Sequence, residues 1–355
     1  MLQRLKTLVQ IISVSILSLV HSTSEGGIPS AQLYASNNAK VVDRSKKITP
    51  TSKKKRKDET PANGATWFLS GCADNSPTGT GGPMCFIGAG YFKMGCNAEV
   101  DKECDHEDEG TSPLEVYLDS FYLDKHEVTV REYMDCVEDG VCKSDGLNYE
   151  DKEKEKKSEL CNWNTERENH PINCVPWQYA VDYCAWAGKR LPTEAEWEKG
   201  ARGGDAIIYP WGNDGYSVLG TNPKANICDE AAKAKDSNGV KFWAKNYYDK
   251  YAETSPVESF RTGRSPFGVL DMIGNVWEWT SDWYAEQIKV VTIDSKIIPV
   301  VPNKGSYRVV KGGSWRSRPR YARVSQRHRL TTIEQSAALG FRCAVSPSEK
   351  SKILQ

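Results

Sequence analysis

Neither acidic nor basic residues predominate in this 355-residue chain: 47 Lys and Arg face 47 Asp and Glu, a formal net charge of +0. That balance removes the general electrostatic case for nucleic acid or an anionic membrane as partner. Apolar runs are also scarce. A mean hydropathy of −0.59 with 26% charged residues excludes a polytopic membrane protein. Of five histidines, His21 lies in an N-terminal leader, and His106, His126, His170 and His328 show no metal-ligand spacing. The chain has no G-x-S-x-G elbow on which to build a hydrolase. It has no C-x-x-C pair either, which argues against a tetrahedral zinc site. With only 5 Met but 28 Gly, 11 Trp and 16 Tyr, it reads as a loop-rich fold packed on aromatics, not a helical bundle.

The one conspicuous apolar stretch, residues 8–20, follows the basic start Met1-Leu2-Gln3-Arg4-Leu5-Lys6 and precedes Val20-His21-Ser22. This is the pattern of a secretory signal over residues 1–22. The stretch falls short of the roughly 20 residues needed to span a bilayer. An extracytoplasmic location, periplasmic or secreted, is therefore expected, with no transmembrane segment after signal removal. No cysteine stands near the cut, so a lipoprotein is not expected. Residues 23–65 are rich in Ser, Asn, Lys and Pro and carry Lys53-Lys54-Lys55-Arg56-Lys57, the composition of a disordered linker. Residues 348–355 read as a frayed tail.

Between them, residues 66–347 read as one domain. Leu114, Val116 and Leu118 alternate with polar neighbours, predicting a half-buried strand. Thr129-Val130-Arg131-Glu132 is a capping box. The helix it opens places Val130, Tyr133, Met134 and Val137 on one face and ends at Gly140. A second helix after Pro176 would bury Ala180, Tyr183, Cys184 and Ala187. A third opens at the box Thr193-Glu194-Ala195-Glu196 and runs to about Ala201. Beyond it helical period vanishes. The charged residues 150–159 suggest an exposed insertion.

Eleven cysteines suit an oxidising compartment. Short spacings suggest the pairs Cys72 with Cys85, Cys96 with Cys104, Cys136 with Cys142, and Cys161 with Cys174, although spacing alone proves no connectivity. An odd total leaves at least one cysteine outside any pair within the chain.

Five blocks occur in an order that resembles the formylglycine-generating enzyme (sulfatase-modifying factor) family. They are Gly188-Lys189-Arg190-Leu191-Pro192-Thr193-Glu194-Ala195-Glu196-Trp197-Glu198, Tyr209-Pro210-Trp211-Gly212-Asn213, Gly274-Asn275-Val276-Trp277-Glu278-Trp279-Thr280, Arg308-Val309-Val310-Lys311-Gly312-Gly313-Ser314-Trp315, and Leu339-Gly340-Phe341-Arg342-Cys343. The resemblance implies an α+β, C-type-lectin-like single domain with short strands and a few helices. It implies two structural calcium sites. One would use the side chains of Asn226 and Asp249 with the carbonyls of Ile227 and Tyr251. The other would use Asp271 and Glu278 with the carbonyls of Gly274 and Val276. Both sets are oxygen donors of the kind calcium takes. The resemblance also implies a Cys184–Cys343 disulfide, whereas a second family pair maps onto Ala201 and Val324 and is absent as a unit.

In that family two cysteines after the Gly-Gly-Ser block bind copper(I) and handle the substrate thiol. Here the segment reads Trp315-Arg316-Ser317-Arg318-Pro319-Arg320-Tyr321-Ala322-Arg323 and holds no cysteine. A hydroxyl at Ser317 is a hard, protonated ligand, so copper is not expected. What remains of the pocket is its wall: Trp277, Ser314 and Arg327 where the family contacts its peptide, and Ser317 nearby. Six arginines between Arg316 and Arg329 make the region basic and point to a peptide or anionic ligand. Pairing of these arginines with acids such as Asp271, Glu278 or Asp282 is the competing use for them. Two readings follow: a calcium-stabilised binding or scaffold module, or an oxidoreductase acting on protein or peptide through a metal or side chain outside the motif. Branches lacking the cysteine pair, including that of pyoverdine maturation, share the same blocks.

Overall fold

The computed structural model describes residues 71–347 except 74–75, 105–111, 152–155, 216–221 and 236–242. The expected signal, linker and tail lie outside the described residues, as does His106.

Four helices are short and locally specified. Both capping boxes form: Thr129 caps α1 (Val130–Glu138) and Thr193 caps α3 (Glu194–Arg202), each with reciprocal bonds to the Glu three residues on. After α1, Gly140 adopts φ +75°, a left-handed turn that suits glycine. Helix α2 (Trp177–Trp186) buries Ala180, Tyr183 and Cys184 as its spacing predicts. One helix was not foreseen. Glu230–Lys235 forms α4, a six-residue helix in the half where no helical period is legible. Asp229 accepts from the backbone N–H of Ala231 and Ala232, so a single side chain replaces a long amphipathic repeat as the nucleus.

Two four-stranded sheets frame the core. In one, Trp277–Trp283 is flanked by Arg308–Lys311 (antiparallel) and Leu339–Gly340 (parallel), with Arg327–Leu330 outermost. In the other, Met84–Ile87 and Phe121–Asp124 are central, between Cys72–Ala73 and Ala344–Val345. Gly90–Met94 pairs with Leu114–Leu118, and Lys289–Ile293 with Lys296–Val300. The predicted strand at residues 114–118 forms, with Val116 fully buried but Leu114 exposed. Tyr149–Asp151 and Lys156–Lys157 form a small ladder in the charged stretch.

All five anticipated disulfides are present: Cys72–Cys85, Cys96–Cys104, Cys136–Cys142, Cys161–Cys174 and Cys184–Cys343. Ala201 and Val324, where the second family pair would stand, are both fully buried in one apolar cluster. No helix among the described residues is long and apolar enough to cross a membrane.

Candidate functional site

Helix α3 is nine residues of mostly polar sequence, yet all nine are buried. The cause is a row of charges across the adjoining sheet. Register sets Arg327 opposite Lys311 and Lys311 opposite Glu278, so three ionic side chains share one face. The helix answers them. Arg327 donates to both carboxylate oxygens of Glu194 at 2.6 and 3.1 Å. Lys311 meets Glu198 at 3.0 Å, and the Trp197 indole N–H donates to Glu278 at 2.7 Å. Glu278 also takes a two-pronged contact from Arg342, at 2.7 and 2.8 Å. This is the bidentate geometry for which guanidinium is suited.

On the strand ends beside this row lies a cavity of about 600 Å³. It brings together all four predicted wall residues: Trp277, Ser314, Ser317 and Arg327. The Trp277 ring faces His328 at 5.5 Å between centroids. Ser314 and Ser317 hold a turn: the Ser317 hydroxyl accepts from the Ser314 N–H at 2.9 Å, and the two hydroxyls lie 3.2 Å apart. Arg327 needs a correction. It lines the cavity, but its guanidinium is 3% exposed and committed to Glu194, so it is not the anion-binding group that the sequence suggested. Arg323 is likewise buried against Asp101 at 2.5 Å. Among the described residues, the acids seen paired with the basic stretch are Glu194, Asp101 and Glu103, not the expected Asp271, Glu278 or Asp282. Exposed positive charge at the cavity comes from Arg316 and Arg318.

All eleven cysteines fall among the described residues. Ten are in disulfides, and Cys228 keeps its thiol. Its backbone N–H donates to the Ser317 carbonyl at 3.1 Å, but its side chain is not among the cavity's lining residues. Burial, with Asp229 and Asp249 nearby, pushes the thiol up to about 11, so it is protonated and a poor nucleophile at neutral pH.

The segments that carry the two predicted calcium sets adjoin. Asn226 bridges to Gly274 in parallel register, and the Asn275 N–H donates to the Asn226 carbonyl at 2.7 Å. Gly274 has φ +83°, and a Cβ there would lie 2.1 Å from the Asn226 carbonyl oxygen; only glycine fits. In the first set, the Asn226 side-chain oxygen is buried with no hydrogen-bond donor. Asp249, 1% exposed, accepts from the N–H groups of Ile227 and Tyr251. Burial first, and then Asp229, push its carboxyl up to about 8. In the second set, Asp271 and Glu278 share their surroundings with a third carboxylate, Glu127, which sequence reasoning missed. Glu127 is fully buried, accepts from the Asn275 amide at 2.8 Å, and is pushed far above the usual carboxylate range by burial, Asp271 and Glu278. Three acids thus surround one cation, Arg342. In the first set the orphaned Asn226 oxygen and the raised Asp249 carboxyl fit a hard divalent cation; in the second, both Glu278 oxygens already accept from Arg342.

Residues 70–347 match the sulfatase-modifying factor enzyme 1-like domain. A formylglycine-generating enzyme of Thermomonospora curvata is 40% identical over 188 residues, spanning 52% of this chain but only 58% of that relative. A formylglycine-generating enzyme of Mus musculus is 32% identical over 317 residues, spanning 76% of this chain and 78% of the relative. Among solved structures, PvdO from Pseudomonas aeruginosa matches with a TM-score of 0.58 at 24% identity, covering 78% of this chain and 97% of PvdO. That last likeness concerns the fold alone.

Proposed function

Because the chain belongs to the sulfatase-modifying factor enzyme 1-like domain family, we propose that it is a calcium-stabilised module holding a peptide or anionic ligand in the Trp277 cavity. The observation that carries this reading is the disposition of sulfur. Copper(I) chemistry on a thiol substrate needs thiolates, and ten of the eleven cysteines are locked in disulfides. The eleventh, Cys228, is buried and does not line the cavity. The cavity nevertheless keeps an aromatic wall in Trp277 and exposed guanidinium groups in Arg316 and Arg318, a combination suited to a peptide carrying carboxylates. Asn226, Asp249, Ile227 and Tyr251 would hold one calcium, and Asp271, Glu278, Gly274 and Val276 the other. Calcium at the first set would meet the Asn226 oxygen that has no donor and the raised Asp249 carboxyl, and at the second it would share Glu278 with Arg342. Five disulfides support an oxidising, extracytoplasmic setting.

The relatives named as formylglycine-generating enzymes favour a second reading, an oxidoreductase acting on protein or peptide. Metal analysis of the purified protein separates the two. Calcium without copper or iron supports the module, and stoichiometric copper or iron overturns it. Binding of a labelled acidic peptide should weaken in the Arg316→Ala and Arg318→Ala double variant; undiminished binding removes the cavity from the reading.

A further inference from the structure

Arg327 also lines a second, smaller cavity of about 230 Å³, there together with its partner Glu194. Its walls are largely aliphatic: Met94, Leu118, Ile288, Ile298 and Val300. Asp282 lines it too, at 5% exposure. The other ionic side chains of the cavity are already matched. Glu194 is held by Arg327, and Glu196 by Arg190 at 2.6 Å. Asp282 is not. Its carboxylate accepts only from the Glu194 N–H at 3.1 Å and the Ser281 hydroxyl at 3.0 Å, and it makes no ion pair among the described residues. Arg308, near enough to interact with it, instead donates to the Ser281 carbonyl and lies between the rings of Trp177 and Trp283.

A buried carboxylate without a full counter-charge is costly, and a ligand cation would remove that cost. Burial and Glu194 hold the Asp282 carboxyl up at about 7, consistent with a missing cation. The walls decide which cation. Aliphatic surface favours a methylene stem over a hydrated metal ion, and one acid at one place favours a compact terminal charge. We infer that this cavity is a binding site for an alkylammonium group, carried either by a lysine side chain of a peptide or by a free aliphatic amine. The site uses none of the calcium ligands and shares only Arg327 with the Trp277 cavity.

Isothermal titration of the purified protein with n-pentylammonium, 1-pentanol and an N-acetyl, C-amide Gly-Lys-Gly peptide tests this. The ammonium should bind at least about tenfold more tightly than the alcohol, the range of a charge-assisted contact. Shortening the stem should weaken binding roughly three- to fourfold per methylene. Asp282→Asn keeps an acceptor for the Glu194 N–H and should erase the preference for ammonium. Should that variant fail to fold, Ile298→Trp fills the cavity without touching the carboxylate and should abolish binding in a protein with an unchanged circular dichroism spectrum. Tighter binding of the peptide assigns a lysine side chain, and tighter binding of the free amine assigns a small amine. Equal affinity for amine and alcohol, or full binding by the Ile298→Trp protein, overturns the site.

Discussion

Replacing Arg327 by methionine tests whether this guanidinium belongs to the fold or to a ligand. It makes two contacts to Glu194, at 2.6 and 3.1 Å, with both side chains about 95% or more buried. Removing one partner of a buried pair typically costs about 3–5 kcal/mol, because the other charge is stranded. Lys311 lies 3.8 Å from Glu194 and can take up part of that charge, which places the expected loss near the lower end. For a domain of this size each kcal/mol lowers Tm by about 2–4 °C, so a loss of about 3 kcal/mol means a drop of about 6–12 °C. The assay is thermal unfolding at neutral pH by calorimetry. Arg327→Met combined with Glu194→Met removes both charges and should recover most of the loss. If the single variant melts like wild type, or the double variant is no better than the single, the pair is not structural and the reasoning fails.

Further outcomes are expected. Gly274→Ala should unfold the domain or lower its midpoint severely in urea, because the left-handed backbone alone costs about 1–2 kcal/mol and the new Cβ would strike the Asn226 carbonyl; a normal midpoint contradicts the close approach. Replacing Cys184 and Cys343 together should cost about 5 kcal/mol on chain-entropy grounds, against about 2 kcal/mol for Cys136 and Cys142, since the bridges span 159 and 6 residues. Calorimetry that finds the reverse order refutes that account. Asp282 is raised to about 7 in the fold by burial, Glu194 and Glu196, so the folded state holds its proton more tightly than the unfolded chain. Its contribution to stability is therefore fullest below its ordinary carboxylate value and is lost as pH rises towards 7. Asp282→Asn should reduce the fall in stability between about pH 4.5 and about pH 7.5; urea melts at the two values with an unchanged difference would exclude this role.

Local signals were readable and proved sufficient for local structure. Thr129 with Glu132 and Thr193 with Glu196 are three residues apart, so each cap is written in one short segment. Four disulfides close gaps of at most 13 residues. What pairs across the fold is another matter. Arg327 finds Glu194 at a separation of 133 residues, and nothing in the basic stretch marks that acid as its partner. Helix α3 reads as Glu-Ala-Glu-Trp-Glu-Lys-Gly-Ala-Arg, a sequence that hydropathy assigns to the surface; its burial follows only from the ionic row on the facing sheet. Glu127 stands two residues before a helix cap with no periodic cue, and only the close approach of Asp271 and Glu278 gives it meaning. The wall of the Trp277 cavity was legible through its motif, whereas the charge state of that wall was decided by tertiary neighbours.

Ala344–Val345 pairs with Phe121–Asp124, and Cys343, just before it, is bonded to α2. The last strand of the domain therefore completes a sheet begun more than 200 residues earlier. A chain still being synthesised cannot finish this sheet until residue 345 is clear of the ribosome, so consolidation should come as one late event instead of stepwise. A nonsense mutation even a few codons before Leu339 should consequently yield a product that is degraded, not a shortened working protein.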